Sequence, residues 1–361
     1  MILYCLDMKN IILLLNLLFL LSCTGKSGEH DFESLPSVSI FGEYLEEEQI
    51  FSSSAKIQVI DSCFIVCDSK QPDGCLSILD ERTGRCLDQF GMKGNGPGEF
   101  SYPVFLGKSF DRDTIYVANF PQKVYAYAQN ERGKYELVKE CKILIRKKDM
   151  MEFPMRMCRL QNGYYVMTTV SGGKDFFILL DKECQEIKRF GAHPIRGMNA
   201  DVCDFIPFDG RMTSYGNSFY YATFKYGYIA RYDISDIGEV VMKWEKFMSE
   251  PQVTISEANI QMKSSVNLTG FYGVSANDKY IFALYSGVYF RAFIDEKDSS
   301  ANVPRTLVVF NTDGAIVGKF RISHKSTTLC LSEDNNYLYL WNIEPDVSIE
   351  KFKVKDFLDA K

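Results

Sequence analysis

Gly91-Met-Lys-Gly-Asn-Gly-Pro-Gly-Glu-Phe-Ser-Tyr-Pro103 decides how the rest of the chain is read. Four glycines and a proline within eight residues cannot continue a strand or a helix. The stretch follows a hairpin pattern: Cys75–Asp80, the turn 81–84, then Arg85–Phe90. It precedes a new strand pattern at 104–110. Such a stretch makes a tight passage from the last strand of one small sheet to the first strand of the next. If the passage recurs in looser form, the chain is a ring of small sheets.

Strongly strand-forming runs do recur, at Cys63–Cys67, Thr114–Asn119, 164–170, 218–224, 280–286 and Tyr337–Asn342. Their spacing of about 50–60 residues is near that of a four-stranded propeller blade with its loops. Most runs have one strand pattern before them and two after, joined by hairpin turns such as Gln161-Asn-Gly163 and Asn311-Thr-Asp-Gly314. The sixth unit has only three strands, at 328–332, Tyr337–Asn342 and 349–354. One strand pattern near the amino end, Ser37–Phe41, is left over. The sequence therefore predicts an all-β, six-bladed β-propeller with four-stranded antiparallel blades. Ser37–Phe41 would pair with 349–354 as the outer strand of the last blade, closing the ring and removing an open sheet edge. Helical signal is confined to a turn or two at 256–263.

Composition agrees. The 361 residues are 46% hydrophobic and include 21 Tyr and 27 Phe, which favours strands and a large core. A net charge of −6 with no basic run longer than Arg146-Lys147-Lys148 gives no footprint for nucleic acid.

The first 22 residues read as a signal peptide. Ile11–Leu21 is apolar but too short to span a bilayer, and Met8-Lys9-Asn10 makes a better basic start than Met1. The segment ends Leu20-Leu21-Ser22-Cys23, which resembles a bacterial lipobox, so Cys23 is the expected lipidation site. Residues 23–36 would be the lipidated cysteine and its tether, and 37–361 the propeller. By the same resemblance, Thr24 in place of Asp argues against inner-membrane retention and for the outer membrane. Setting aside Cys5 and Cys23 leaves nine of the 11 cysteines. Most sit inside apolar strand patterns without a CxxC, and are expected as buried free thiols.

Together, the lipobox, the repeated β units and Gly94-Asn-Gly-Pro-Gly-Glu-Phe100 resemble the TolB-like six-bladed propeller lipoproteins. The resemblance implies fold and envelope location more than an activity.

Chemistry is sparse in the pattern. Gly91–Gly98 is not a P-loop, because Lys93 precedes Gly94, Pro97 removes a donor and no helix follows. The three histidines sit in no hydrolase or metal-ligand motif, and no cofactor or metal site is expected. Loop length is more informative. The segments 192–211, 248–269 and 287–305 are long, and in a propeller all three fall on one face. The candidate binding face gathers Asp68, Lys93, Asn119, His193, Arg196, Tyr226, Arg291 and Asn342, with Tyr226 expected exposed at its turn. Two readings remain. One is a non-enzymatic envelope scaffold that binds a ligand, protein or peptide there. The other is a metal-dependent hydrolase or lactonase at the channel mouth, using the polar strand ends Asp68, Asn119 and Asn342.

Overall fold

The computed structural model describes residues 29–45, 50–71, 74–96, 98–108, 114–119, 123–145, 156–168, 175–192, 194–195, 209–255, 260–298 and 300–359. The expected signal peptide, Cys23, His193 and Arg196 lie outside the described residues.

Six four-stranded antiparallel sheets form the blades of a propeller. Their first strands, Lys56–Ile60, Pro103–Lys108, Met157–Arg159, Gly210–Tyr215, Phe271–Ala276 and Ser326–Leu331, line the central channel. The second and third strands of each blade are buried on both sides, because each sheet face packs on a neighbouring blade. Tyr165–Thr168 and Phe177–Leu180 of blade 3 are buried at every position. Outer strands such as Tyr135–Lys142 are mostly exposed. A register shift separates the third and fourth strands of blades 1 to 5, adding the local twist that lets the blades splay.

Aromatic rings seal the inter-blade seams. Between blades 3 and 4, Phe219 stacks on Tyr232 at 4.9 Å and Phe177 meets both edge-on. Edge-to-face and offset pairs of this kind add about 0.5–1.5 kcal/mol each beyond the area they bury.

The glycine-rich passage is the seam between blades 1 and 2. Gly91 has φ +79°, and a Cβ there would meet the Phe100 ring at 2.5 Å. The main chain doubles back: Phe100 N–H donates to Met92 O at 2.8 Å and Gly94 N–H to Phe100 O at 3.0 Å. Phe100 is thereby plugged between the blades against Tyr125 and Tyr127.

An amino-terminal strand closes the ring, but it is not Ser37–Phe41. Val38–Ser39 pairs in parallel with Ile316–Arg321, as a fifth strand on blade 5. The outer strand of blade 6 is Glu43–Leu45, antiparallel to Ser348–Lys353, with Tyr44 opposite Glu350. The alternation of Val38 and Ile40 did mark a sheet strand, but their side chains pack with Phe320 and Ile322 at the blade 5–6 seam. Gly42 makes the step between blades, since a Cβ there would meet Glu350 Cγ and Lys351 O at 2.7 Å. Its N–H donates to Glu350 Oε1 at 3.0 Å.

Part of the segment read as tether is also docked. Glu29–Ser34 is a short helix whose Phe32 is buried edge-on to Tyr285, with Lys319 Nζ 4.4 Å over its ring. The expected helical turn at 256–263 is instead, in its described part, strand Ile260–Met262 paired with Val253–Ile255.

Candidate functional site

The upper face of the ring carries the blade-to-blade connections and the turns between second and third strands. Several sequence-predicted residues sit there as latches. Asp68, at the end of the second strand of blade 1, accepts from Ser52 N–H at 2.8 Å, Ser52 Oγ and Lys70 N–H. Asn119 in blade 2 accepts from Ser101 N–H at 2.9 Å and donates to Glu99 O at 2.7 Å. Thr168 in blade 3 accepts from Arg156 N–H at 3.1 Å. In blade 6, Ser326 Oγ donates to Asn342 Oδ1, and Asn342 Nδ2 donates to Glu350 Oε2 at 2.9 Å. The polar strand ends thus tie the second strand to the start of the inner strand within one blade. Asp68, Asn119 and Asn342 are separately engaged rather than brought to one point. Among the described residues, no group of three or more His, Cys, Asp or Glu is placed to hold a metal ion.

Lys93 is exposed in the glycine-rich passage. Tyr226, expected exposed, is fully buried against Phe247, with its turn held at φ +54° beside Gly227. Its length explains the difference: the ring reaches inward from the turn and fills the seam. Arg291 is exposed and pairs with Asp295 at 2.9 Å.

Two long loops form one knitted platform above blades 4 and 5. Buried Asn267 accepts from Gln252 N–H at 2.8 Å and donates to Gln252 O and Lys263 O. Buried Asn302 donates to Thr269 Oγ1 at 2.8 Å and to Phe290 O at 3.1 Å. Main-chain bonds run from Thr269 N–H to Val288 O, Phe290 N–H to Asn267 O and Tyr226 N–H to Leu268 O. The platform therefore holds its shape through buried hydrogen bonds rather than a second core. Tyr289, 56% exposed, stands out from it, next to Arg291 and to Phe290 beneath the Lys225 ammonium.

The channel mouth holds a group the sequence reading did not single out. Lys56 starts the inner strand of blade 1, Arg156 precedes that of blade 3, and Asp209 and Arg211 flank the start of that of blade 4. Arg156 Nη2 lies 2.6 Å from Asp209 Oδ1, and its Nε donates to Gly210 O at 2.6 Å. Arg211 Nε donates to Tyr272 O at 2.8 Å and its Nη1 to Gly210 O at 3.0 Å. Gly210 is required, because a Cβ there would strike the Tyr221 ring at 2.5 Å. Blade 4 lies across the ring from blade 1, so the charges of Lys56 and Arg211 meet across the channel. Lys56 is exposed. The surrounding protein atoms nonetheless crowd its ammonium. That desolvation first, then Arg211 and Arg156, bring its pKa down to about 7. Burial first and Arg156 second also pull Arg211 below the ordinary arginine value. Beneath lies a cavity of about 130 Å3 lined by Gln58, Leu106, Arg159, Thr213 and Ser214 among others.

No protein-family model matches the chain, and no curated protein matches it. Solved structures align with it over most of its length. A putative exported protein from Bacteroides fragilis aligns over 88% of this chain and 94% of its own, at 12% identity and a TM-score of 0.56. Kuenenia stuttgartiensis hydrazine synthase aligns over 86% of this chain at 11% identity and a TM-score of 0.45, covering 99% of its own. The β-propeller domain of Cps50 (Swd1) from Myceliophteria thermophila aligns over 87% at 10% identity and a TM-score of 0.48, covering 99% of its own. At 12% identity the likeness to the Bacteroides fragilis protein is one of fold.

Proposed function

We propose that the mature chain is an exported, lipid-anchored propeller of the bacterial envelope that binds a protein or peptide partner on the upper face of blades 4 and 5. The platform carries this reading. Buried Asn267, Thr269 and Asn302 fix two surface loops by hydrogen bonds. Fixing a loop before contact removes ordering entropy from the association step, which is where preorganised surfaces gain affinity. What the platform presents, Tyr289 beside Arg291, is of the residue types that anchor interfaces. Export and anchoring rest on the lipobox at Cys23 and on the likeness to TolB-like lipoproteins in Gly94–Phe100. The fold likeness to a putative exported protein is in keeping with them.

The test is co-purification from native envelopes with the wild-type chain and with a Tyr289→Ala, Arg291→Ala double variant. Both side chains are exposed, so the fold should survive their loss. A partner retained by the wild type and lost by the double variant supports the reading. An unchanged partner set in the double variant removes it. The anchor is tested separately: Cys23→Ala should move the protein from the membrane fraction to the soluble one.

A further inference from the structure

We infer that the channel mouth is a binding site for a small anionic ligand, one bearing a carboxylate or phosphoester group, held by Lys56, Arg156 and Arg211. The site is distinct from the platform, and neither reading depends on the other.

Charge balance motivates the assignment. Three cationic side chains converge on one recess, and among the described residues Asp209 is the carboxylate set among them. Asp209 is already shared, 2.6 Å from Arg156 and 3.7 Å from Arg211. The Lys56 ammonium makes no hydrogen bond or ion pair among the described residues, although its main chain pairs with Cys67. Its other close titratable neighbour, Cys67, has its thiol pushed up to about 12 by burial and is neutral. Tyr102 and Tyr272 border Arg211, and burial pushes the Tyr272 hydroxyl up to about 12. Gathering like charges around one partly buried recess opposes folding. An anion at the centre would offset both the repulsion and the desolvation.

Geometry fits the same ligand. The two guanidinium groups are held in place by main-chain oxygens, Gly210 O for both and Tyr272 O for Arg211. Fixed planar forks suit the paired oxygens of a carboxylate or phosphate, whereas the lysine contributes a compact charge from the opposite wall. Lys56 and Gln58 are two residues apart on one strand, as Arg211 and Thr213 are on another. A strand rises about 3.3 Å per residue, so the cavity begins roughly 7 Å below the cations. A ligand with an anionic head at the mouth can place a short polar tail there, against Gln58, Thr213 and Ser214.

The experiment is calorimetric titration of the mature chain in detergent with two probes, sulfate and tartrate. Both keep their charge between pH 6 and pH 8. Sulfate stands for a phosphoester and tartrate for a carboxylate, so the tighter of the two names the class. One saturable site is expected. Lys56 is the group that titrates in this range, and Arg211, Arg156, Cys67 and Asp209 are the groups that face it. Binding should weaken by roughly tenfold from pH 6 to pH 8, as the competent protonated fraction falls. Lys56→Met should weaken binding at pH 6 by a similar factor and abolish the pH dependence, with an unchanged circular dichroism spectrum. Arg211→Lys retains the charge but loses the fork, and should weaken whichever probe binds in two-pronged fashion. Absence of saturable binding of either probe at about 50 mM, where even millimolar sites fill, overturns the assignment. Binding that Lys56→Met leaves intact overturns it equally.

Discussion

Replacing Glu350 with Ala should loosen the ring closure in a way that a local surface defect would not. Glu350 is 1% exposed at the seam where the amino-terminal strand joins blade 6. It accepts from Gly42 N–H at 3.0 Å on the closing strand's side and from Asn342 Nδ2 at 2.9 Å on its own sheet. His324 Nδ1 stands 3.7 Å away and is itself bonded to the Tyr44 hydroxyl. Alanine strands two donors, each at about 1–3 kcal/mol if left unpaired in a buried place. The expected loss is about 2–5 kcal/mol, read from urea unfolding of the mature chain. A double-mutant cycle identifies its origin. In a chain truncated through Leu45, Gly42 and Tyr44 are gone, so the same substitution should cost about half as much. An equal cost in full-length and truncated chains would refute the view that Glu350 ties the two ends together.

Other outcomes follow from the same structure. Asn119→Ala should destabilise blade 2 by about 2–3 kcal/mol, through loss of its bonds to Ser101 and Glu99; chemical unfolding checks this. Platform binding should be unaffected, as expected of a latch. Burial pushes the thiols of Cys67, Cys158, Cys184 and Cys330 well above the ordinary value, so iodoacetamide at pH 8 should label them only after unfolding; peptide mass mapping reads this. Lys56, lowered from 10.5 to about 7, is protonated more readily in the unfolded chain. Its contribution therefore opposes folding fully below pH 7 and fades as pH rises toward 10.5. Lys56→Met should raise the melting temperature more at pH 6 than at pH 10, and an equal gain at both would contradict the crowded-cation picture.

The architecture was legible because its signals are local and repeated. Gly91–Pro103 names a turn by backbone freedom alone, and Asn311-Thr-Asp-Gly314 forms the hairpin its residues demand, with Gly314 at φ +83°. The closing strand was less legible. Val38 and Ile40 carry a stronger alternation than Glu43-Tyr44-Leu45, where two of three side chains are exposed. Only the close approach at Gly42 settles which segment reaches blade 6. Polar strand ends such as Asp68 and Asn342 are visible in sequence, but their partners are tertiary. The channel cations were hidden by distance, since Lys56, Arg156 and Arg211 each sit singly near the start of an inner strand. Aligning the blades on those starts, rather than on their aromatic second strands, is the signal that finds them.

The claim that the upper face is the binding face is tested most directly by lysine cross-linking in intact cells, with the linked peptides identified by mass spectrometry. The account predicts links from Lys225 and Lys263, on or beside the platform, to a second protein. Links confined to Lys134, Lys139 and Lys243, on the outer strands or their turns, would contradict it.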